Sequence, residues 1–266
     1  MVKQWIPFLV AALLILGGLY LLMVTLGYVE AIGPLPWALL SGLGGLAFLA
    51  VYLQDRREWW PLIPGAALLS LSLTILLGMA GLPSGAAGSV LFLGIALAFL
   101  PIYLADRREN WWVVIPAGAL VTLGIVVLLS DLVAGGFVGG LFLLGLAAVF
   151  AVLYFMEIEG RRRNWWAIIP AGVLTVLAAM AILGEVVEGG VLDAFFFLGL
   201  AAVFGLLYLI RGEERELAWA KFPALGLAAF GLFVLAVTSA GRLVRFWPLL
   251  LILAGLIAIW RGWRGR

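Results

Sequence analysis

Acidic side chains are the groups in this sequence that are best suited to bind a cation or a charged partner, and they fall into two kinds of cluster. Glu185, Glu188 and Asp193 lie close together between two apolar runs, and carboxylates are oxygen ligands that hard cations prefer. The segments Asp55-Arg-Arg-Glu58 and Asp106-Arg-Arg-Glu109 are nearly identical, and their mixed charges could pair locally or dock a partner. The simpler interpretation is a solvated turn, since exposed ion pairs contribute only about 0–1 kcal/mol.

The residue types that most often carry catalysis are missing from the chain. It contains no histidine and no cysteine, so disulfides, thiolate sites and the common zinc, copper and haem ligand sets cannot be built. We find no Walker loop, no Ser-His-Asp set and no pair of carboxylates within an apolar run. The sequence therefore predicts a protein that is not an enzyme and binds neither metal nor cofactor.

Composition places the chain in a lipid bilayer. Of its 266 residues, 66% are hydrophobic and 11% are charged, which is too apolar for a water-soluble domain of this size. A helix needs about 20 apolar residues to cross a membrane, and ten runs of that length lie near residues 5–26, 35–53, 59–77, 87–105, 111–129, 136–156, 165–184, 194–210, 222–241 and 243–260. The runs are continuously apolar, which favours helices over a barrel. We expect an all-α membrane protein with ten transmembrane helices in a single membrane domain, 1–266.

The charged residues predict how the chain is oriented. Of the 30 charged residues, all but Arg245 lie outside the ten apolar runs, and 14 of the 16 basic residues fall on one side of the predicted membrane. Cytoplasmic loops carry an excess of lysine and arginine, so we expect both termini in the cytoplasm and the protein in the cytoplasmic (inner) membrane. The basic loops are then explained by topology, and no nucleic-acid partner is expected.

An internal repeat becomes visible when five prolines are aligned. These are Pro7, Pro64, Pro116, Pro170 and Pro223, separated by steps of 57, 52, 54 and 53 residues. The clearest copies read Asn110-Trp-Trp-Val-Val-Ile-Pro-Ala-Gly118 and Asn164-Trp-Trp-Ala-Ile-Ile-Pro-Ala-Gly172. Self-similarity of this period predicts five tandem two-helix hairpins of the same orientation, approximately 1–54, 55–106, 107–160, 161–214 and 215–266. They could close into a pseudo-fivefold ring or pack as an irregular bundle.

Each element of the repeat has an expected physical role at the helix entry. Tryptophan favours the membrane interface, so the predicted interface anchors are Trp5, Trp60, Trp112, Trp166 and Trp219. Asn110 and Asn164 are favourable N-cap residues that could satisfy amides of the first turn. The helix-entry prolines Pro64, Pro116, Pro170 and Pro223 either mark the start of the regular helix or kink its first turn.

Small and hydroxylated residues recur along the predicted helices. Glycines such as Gly118, Gly145 and Gly199 let membrane helices approach closely, although they could also line a path for a solute. Five hydroxyl groups lie at similar depths in odd-numbered spans, namely those of Ser70, Ser72, Thr74, Thr122 and Thr175. We expect most of them to bond within their own helix or to a neighbour, with a shared polar track as the alternative.

The C-terminal segment resembles a known family. Arg245-Phe-Trp-Pro-Leu-Leu-Leu-Ile-Leu-Ala-Gly-Leu256, followed by basic residues from Arg261, is similar to the hairpin of the LiaI/LiaF-like transmembrane region of bacterial envelope-stress proteins. The repeated Asn-Trp-Trp-x-x-Ile-Pro-Ala-Gly units are also similar to uncharacterised multi-span bacterial membrane proteins. The first resemblance implies a membrane hairpin at this end of the chain, and neither implies a catalytic activity.

Two functional hypotheses follow from these patterns. The first is a non-enzymatic integral membrane scaffold, accessory subunit or envelope regulator that acts through helix packing, with a membrane-protein partner or a second copy of itself. The alternative is a transporter of a neutral or apolar small solute, suggested by ten spans with both ends on one side, as in the drug/metabolite transporter superfamily. Paired carboxylates and interrupted helices, which mark many ion-coupled carriers, are missing from the sequence.

Overall fold

The fold is a series of apolar helices joined by short turns. A computed structural model describes residues 15, 17–20, 22–28, 33–132, 136–156, 164–187, 189–210 and 215–244. Its main helices are α1 (Pro34–Gln54), α2 (Leu62–Met79), α3 (Ser84–Ala105), α4 (Val114–Leu129), α5 (Gly136–Phe155), α6 (Ile168–Leu183), α7 (Gly189–Leu209) and α8 (Lys221–Val244). Short 3-10 turns, Trp111–Val113, Trp165–Ala167 and Arg215–Ala220, precede α4, α6 and α8. Eight helical segments are long and apolar enough to cross a membrane.

These eight helices coincide with the second to ninth predicted runs. The largest difference is at α7, which begins at Gly189 instead of residue 194 and therefore contains Asp193. A carboxylate near the N-terminus of a helix interacts favourably with the helix dipole, so this charge is compatible with the helix. Helix α8 passes through Arg242, the predicted break between the ninth and tenth runs.

The two terminal runs are described only in part. In the first, 5–26, residues 15, 17–20 and 22–25 are helical. The tenth, 243–260, lies outside the described residues apart from its first two, which end α8. Trp5, Pro7 and the segment 245–256 that resembles the LiaI/LiaF-like hairpin are also outside them.

Every extensive contact within the described residues joins helices that are consecutive in sequence. We call the set of helix ends next to residues 55–61 and 106–110 the arginine end, and the other set of helix ends the opposite end. The larger interfaces, α1–α2, α3–α4, α5–α6 and α7–α8, join helices connected at the arginine end. The described helices therefore form a row one helix thick and not an irregular bundle, whereas a contact between the first and tenth predicted runs, which would close a ring, falls outside the described residues.

Glycine allows these helices to approach closely. A Cβ atom at Gly45 of α1 would lie 2.9 Å from the carbonyl oxygen of Gly65 in α2, so neither backbone leaves room for a side chain there. Gly81, with a φ of 85°, takes the left-handed conformation in the turn after α2, and Leu82 N–H donates to the carbonyl oxygen of Leu77. This arrangement ends α2 and returns the chain towards α3.

Most of the helix surface is not covered by protein. Even in α3, the most enclosed helix, only 33% of the residues of its apolar span are buried, and in α8 the share is 6%. Exposed leucine, valine and phenylalanine side chains along both helices would be costly in water. Lipid is the solvent that suits this surface, and the chain is a multi-pass membrane protein by the length and composition of its helices.

Candidate functional site

The arginine end is organised by two asparagines in unexpected roles. Asn110 and Asn164 precede the 3-10 turns at the entries to α4 and α6, as predicted, but neither side chain forms an N-cap hydrogen bond. The Asn110 amide instead donates to the carbonyl oxygen of Ile102 at 2.8 Å. The Asn164 amide, in a residue only 3% exposed, donates to the carbonyl oxygens of Leu153 at 2.9 Å and Met156 at 2.7 Å.

These bonds satisfy carbonyl groups at the C-terminal end of the preceding helix, where intrahelical partners run out. The asparagine side chains thus join each helix to the entry turn of the next. Asparagine lies at the helix entry, as the sequence predicted, but the expected bond, in which the side-chain oxygen would accept an N–H of the first turn, is wrong. The side-chain NH2 group instead donates to carbonyl oxygens at the end of the preceding helix. The backbone carbonyl oxygens of Asn110 and Asn164 do accept the N–H groups of Val113 and Ala167.

The helix-entry prolines resolve the alternative that the sequence left open. Pro64, Pro116, Pro170 and Pro223 are each the third residue of their α-helix. An N–H at this position has no intrahelical carbonyl partner, so proline removes nothing that the helix needs. The regular helices therefore begin beside these prolines.

Tryptophans form an aromatic belt across the arginine end. The rings of Trp59 and Trp112 have centroids 5.7 Å apart, and those of Trp111 and Trp166 are 6.0 Å apart, so each pair joins successive entry turns. Predicted anchors also meet phenylalanines of the preceding helix, in the pairs Trp60–Phe48, Trp166–Phe150 and Trp219–Phe204. Trp60 is 51% exposed and Trp219 is 43% exposed. Such half-covered indoles suit a headgroup boundary.

The repeated acidic-arginine segments are compact turns. Asp106 Oδ1 accepts the N–H of Glu109 at 3.0 Å and that of Arg108 at 2.9 Å. These two bonds, with the Glu109 donor the larger influence, hold the pKa of the Asp106 carboxyl below its usual value. Asp55 Oδ1 accepts the N–H of Arg57 in the same way. The aspartates therefore fold the backbone of the turn, and the arginine side chains are exposed.

At the opposite end, polar side chains reach the first turns of neighbouring helices. Glu185 Oε1 accepts the N–H of Gly136, the first residue of α5, at 2.6 Å. A Cβ atom at Gly85, in the first turn of α3, would lie 2.9 Å from Asp131 Oδ2. A carboxylate is favourable at this positive end of a helix. No group of three or more acidic side chains that could hold a metal ion lies among the described residues, and Glu188, which the sequence places beside Glu185 and Asp193, is outside them.

The helix interfaces contain a reciprocal glycine contact, which we call the glycine lock. Gly118 of α4 receives Val149 of α5, and one turn away Gly145 of α5 receives Thr122 of α4. The same arrangement joins α6 to α7, where Gly172 receives Val203 and Gly199 receives Val176. In both locks the space that a Cβ atom would need is already filled by a β-branched side chain of the facing helix. Half of a similar contact joins α2 to α3, where Gly94 of α3 receives Ser70 of α2.

The five hydroxyls do not share one track. Thr175 Oγ1 donates to the Ala171 carbonyl in its own helix at 2.8 Å, whereas Ser72 Oγ donates across the interface to the Ala38 carbonyl of α1 at 2.7 Å. Ser70 and Thr122 pack on glycines of the following helix. Thr74 Oγ1 is buried without a hydrogen-bond partner in the described part of the chain. Ser70, Ser72, Thr122 and Thr175 thus have three different kinds of surroundings. This favours a role in helix packing over a shared polar track.

Two apolar grooves open on the surface of the row, both towards the arginine end. The first, about 590 Å³, lies between α3 and α4 and ends at Tyr103. The second, about 360 Å³, lies between α5, α6 and α7 and contains Tyr154. Sequence reasoning did not single out either tyrosine. The signal was present, since tyrosine recurs near the C-terminal ends of four predicted helices, at Tyr52, Tyr103, Tyr154 and Tyr208.

Comparisons with known proteins supply no functional assignment. No protein-family model, no curated protein and no solved structure matches this chain.

Proposed function

We propose that this protein is a non-catalytic membrane scaffold that assembles with a membrane-protein partner or with copies of itself through its helix faces. The observation that carries the proposal is the single row of helices. Because extensive contacts in the described residues join only consecutive helices, both broad faces of the row are free of the other described helices. A protein that needed an enclosed reaction chamber would be expected to surround it with helices.

Unused glycines on the exposed surface support assembly. No described atom lies within 4 Å of the Cβ position at Gly139 or Gly226, which are both exposed and both within helices. Glycine costs a helix about 1 kcal/mol relative to alanine, and these two have no packing partner inside the described chain that would favour it. Close contact with a helix of another chain is a use that suits small residues on membrane helices.

We further propose that the chain is built from five tandem hairpins, giving ten spans in all. The glycine lock supports this proposal, because Gly118, Thr122, Gly145 and Val149 are each followed 54 residues later by the corresponding member of the second lock. Four recurring tyrosines and the third-residue prolines follow a similar period, with steps of 51 to 54 residues. Duplication of a hairpin is the simplest account of so many matched positions.

The orientation and location belong to the same proposal. The arginine end would face the cytoplasm, as the excess of basic residues there indicates, and both termini would be on that side of the inner membrane. The resemblance of 245–256 to the LiaI/LiaF-like hairpin is the reason to propose a bacterial envelope role.

The carrier hypothesis receives less support from the grooves. Their linings run from the middle of the helices to the arginine end and do not reach the opposite end. Neither groove therefore forms a route from one side of the membrane to the other. A carrier of this fold would need a space that both ends of the row can reach.

Self-association in lipid is the direct test. Donor- and acceptor-labelled copies would be reconstituted into liposomes at increasing lipid-to-protein ratios, and energy transfer would be compared with that of a monomeric membrane protein of similar size. We expect energy transfer to persist on dilution, or, if the partner is another protein, the chain to co-purify stoichiometrically with it from its native membrane. A strictly monomeric, partner-free protein would contradict the scaffold proposal.

Substituted glycines would locate the contact. Gly226→Leu adds bulk where no described residue of the chain lies nearby, so it should weaken association while leaving the helix content unchanged. Ala47→Leu, on an exposed position of α1, is the matched control. Uptake of a panel of neutral solutes into the same liposomes would support the carrier hypothesis instead.

A further inference from the structure

The larger groove has the composition of a lipid site. Its volume is about 590 Å³, and α3 and α4 line it with Leu93, Leu97, Leu100 and Val121 among other apolar side chains. Tyr103, at the arginine end, is the lining residue whose side chain carries a polar group. A surface that presents almost only hydrocarbon to a bilayer is filled by hydrocarbon, because no water is present there to compete.

The depth of the groove matches one leaflet. Its lining on α3 runs from Leu93 to Tyr103, which at 1.5 Å per residue is about 15 Å along the helix. The hydrocarbon core of a bilayer is about 30 Å thick, so the groove reaches from the membrane centre to one interface. This is the extent of one acyl chain of a lipid in the leaflet at the arginine end.

A second groove is built from corresponding positions. Tyr154, Ile168, Gly172 and Thr175 line it, and these residues follow Tyr103, Val114, Gly118 and Val121 of the first groove after 51 or 54 residues. The second groove is smaller, about 360 Å³, and α7 supplies a third wall. The repeated position indicates that the groove is a property of the fold and not a local gap in packing.

Positive charge lies just beyond the interfacial end of the first groove. Arg107 and Arg108 follow Tyr103 by four and five residues and are exposed. The Asp106 carboxylate in the same turn is engaged by backbone N–H groups, which fixes the turn at the mouth of the groove. Guanidinium groups bind phosphates with two parallel hydrogen bonds.

We propose that the α3–α4 groove binds an anionic glycerophospholipid of the leaflet at the arginine end. One acyl chain would lie between Leu93 and Tyr103, the tyrosine hydroxyl would sit at the level of the ester groups, and Arg107 and Arg108 would hold the phosphate. The inference is separate from the scaffold proposal, since a monomer could bind this lipid equally well.

Native mass spectrometry of the full-length protein, released from nanodiscs of mixed phosphatidylglycerol and phosphatidylcholine, would test it. We expect phosphatidylglycerol to stay bound beyond its bulk proportion. An arginine near the surface strengthens binding of anionic lipid by about fivefold, so the variant R107Q/R108Q should weaken retention by up to about 30-fold. R56Q/R57Q, in the nearly identical turn beside the closely packed α1–α2 pair, is the matched control and should change little.

Filling the groove provides an independent variant. V121F should exclude the acyl chain and reduce retention without altering the charge, whereas V237F, at an exposed position of α8, should not. Circular dichroism of each variant would verify that it is folded. Retention of phosphatidylglycerol at no more than its bulk proportion, or equal losses in the two arginine pairs, would overturn the proposal.

Discussion

The glycine lock between α6 and α7 should not tolerate even one added methyl group. A Cβ atom at Gly172 would lie 2.5 Å and 2.7 Å from the two Cγ atoms of Val203, well inside van der Waals contact. Val203 is buried, and a β-branched side chain in a helix has little rotamer freedom with which to move away. Gly172→Ala must therefore push the two helices apart.

The expected magnitude follows from comparing two glycines. Overpacking a well-filled interface typically costs about 1–3 kcal/mol, so Gly172→Ala should be destabilising by that amount. Gly205, in α7, has no atom within 4 Å of its Cβ position, and Gly205→Ala should be neutral or stabilising by up to about 1 kcal/mol because alanine is the better helix former. The same chemical change should thus have opposite signs at the two positions.

Equilibrium unfolding by SDS in mixed micelles would measure both variants, with helix content as the signal. Val203→Ala removes the two methyl groups that obstruct Gly172→Ala, so the double variant should recover part of the loss and show favourable coupling in a double-mutant cycle. Equal stability of Gly172→Ala and Gly205→Ala would refute the lock. The absence of coupling with Val203 would show that the cost arises elsewhere.

Three further predictions concern polar side chains. Asn164→Ala should destabilise by about 1–3 kcal/mol because two carbonyl oxygens, one in a buried bond and one in a partly buried bond, lose their donor, and by more than Asn110→Ala, which removes one bond; thermal unfolding in detergent would rank them. Ser72→Ala should cost about 0.6 kcal/mol, a typical interhelical hydrogen bond in a membrane, whereas Thr175→Val, which loses a bond within its own helix, should be nearly neutral in the SDS assay. Because the pKa of Asp106 is lower in the folded chain than its ordinary value of 3.8, its stabilising effect is complete above that value and is lost as the pH falls through the folded pKa. Asp106→Asn should therefore flatten the acid dependence of unfolding below pH 3.8, and an unchanged profile would exclude this origin.

The membrane helices were predictable because a bilayer imposes a simple length and composition on anything that crosses it. The predicted start of the helix that contains Asp193 was wrong by five residues, because the charged Asp193 was expected to lie outside the helix. A carboxylate is in fact favourable near a helix N-terminus. The row of consecutive contacts was not predictable. A row and an irregular bundle use the same hairpins, and the difference lies in contacts between helices that no local pattern in a single sequence encodes.

At the arginine end, residue types were easier to predict than their partners. The position of tryptophan at the helix entries and the first-turn position of proline follow from side-chain chemistry alone. The direction in which the Asn164 amide donates depends on where the previous helix ends, at Phe155, which the sequence locates only to within a few residues. The two grooves required knowledge of which helix faces meet, and so could not be inferred from the period of the sequence.

The row of helices should open one interface at a time when it is pulled. A helix at the end of a row contacts only one neighbouring helix, so a force applied to a terminus breaks a single helix–helix interface at each step. The interfaces alternate in size along the row, because helices connected at the arginine end share the larger interfaces. Pulling the chain out of a bilayer should therefore extract the helices in pairs, and each pause in the extraction should correspond to the next pair of helices that is still intact.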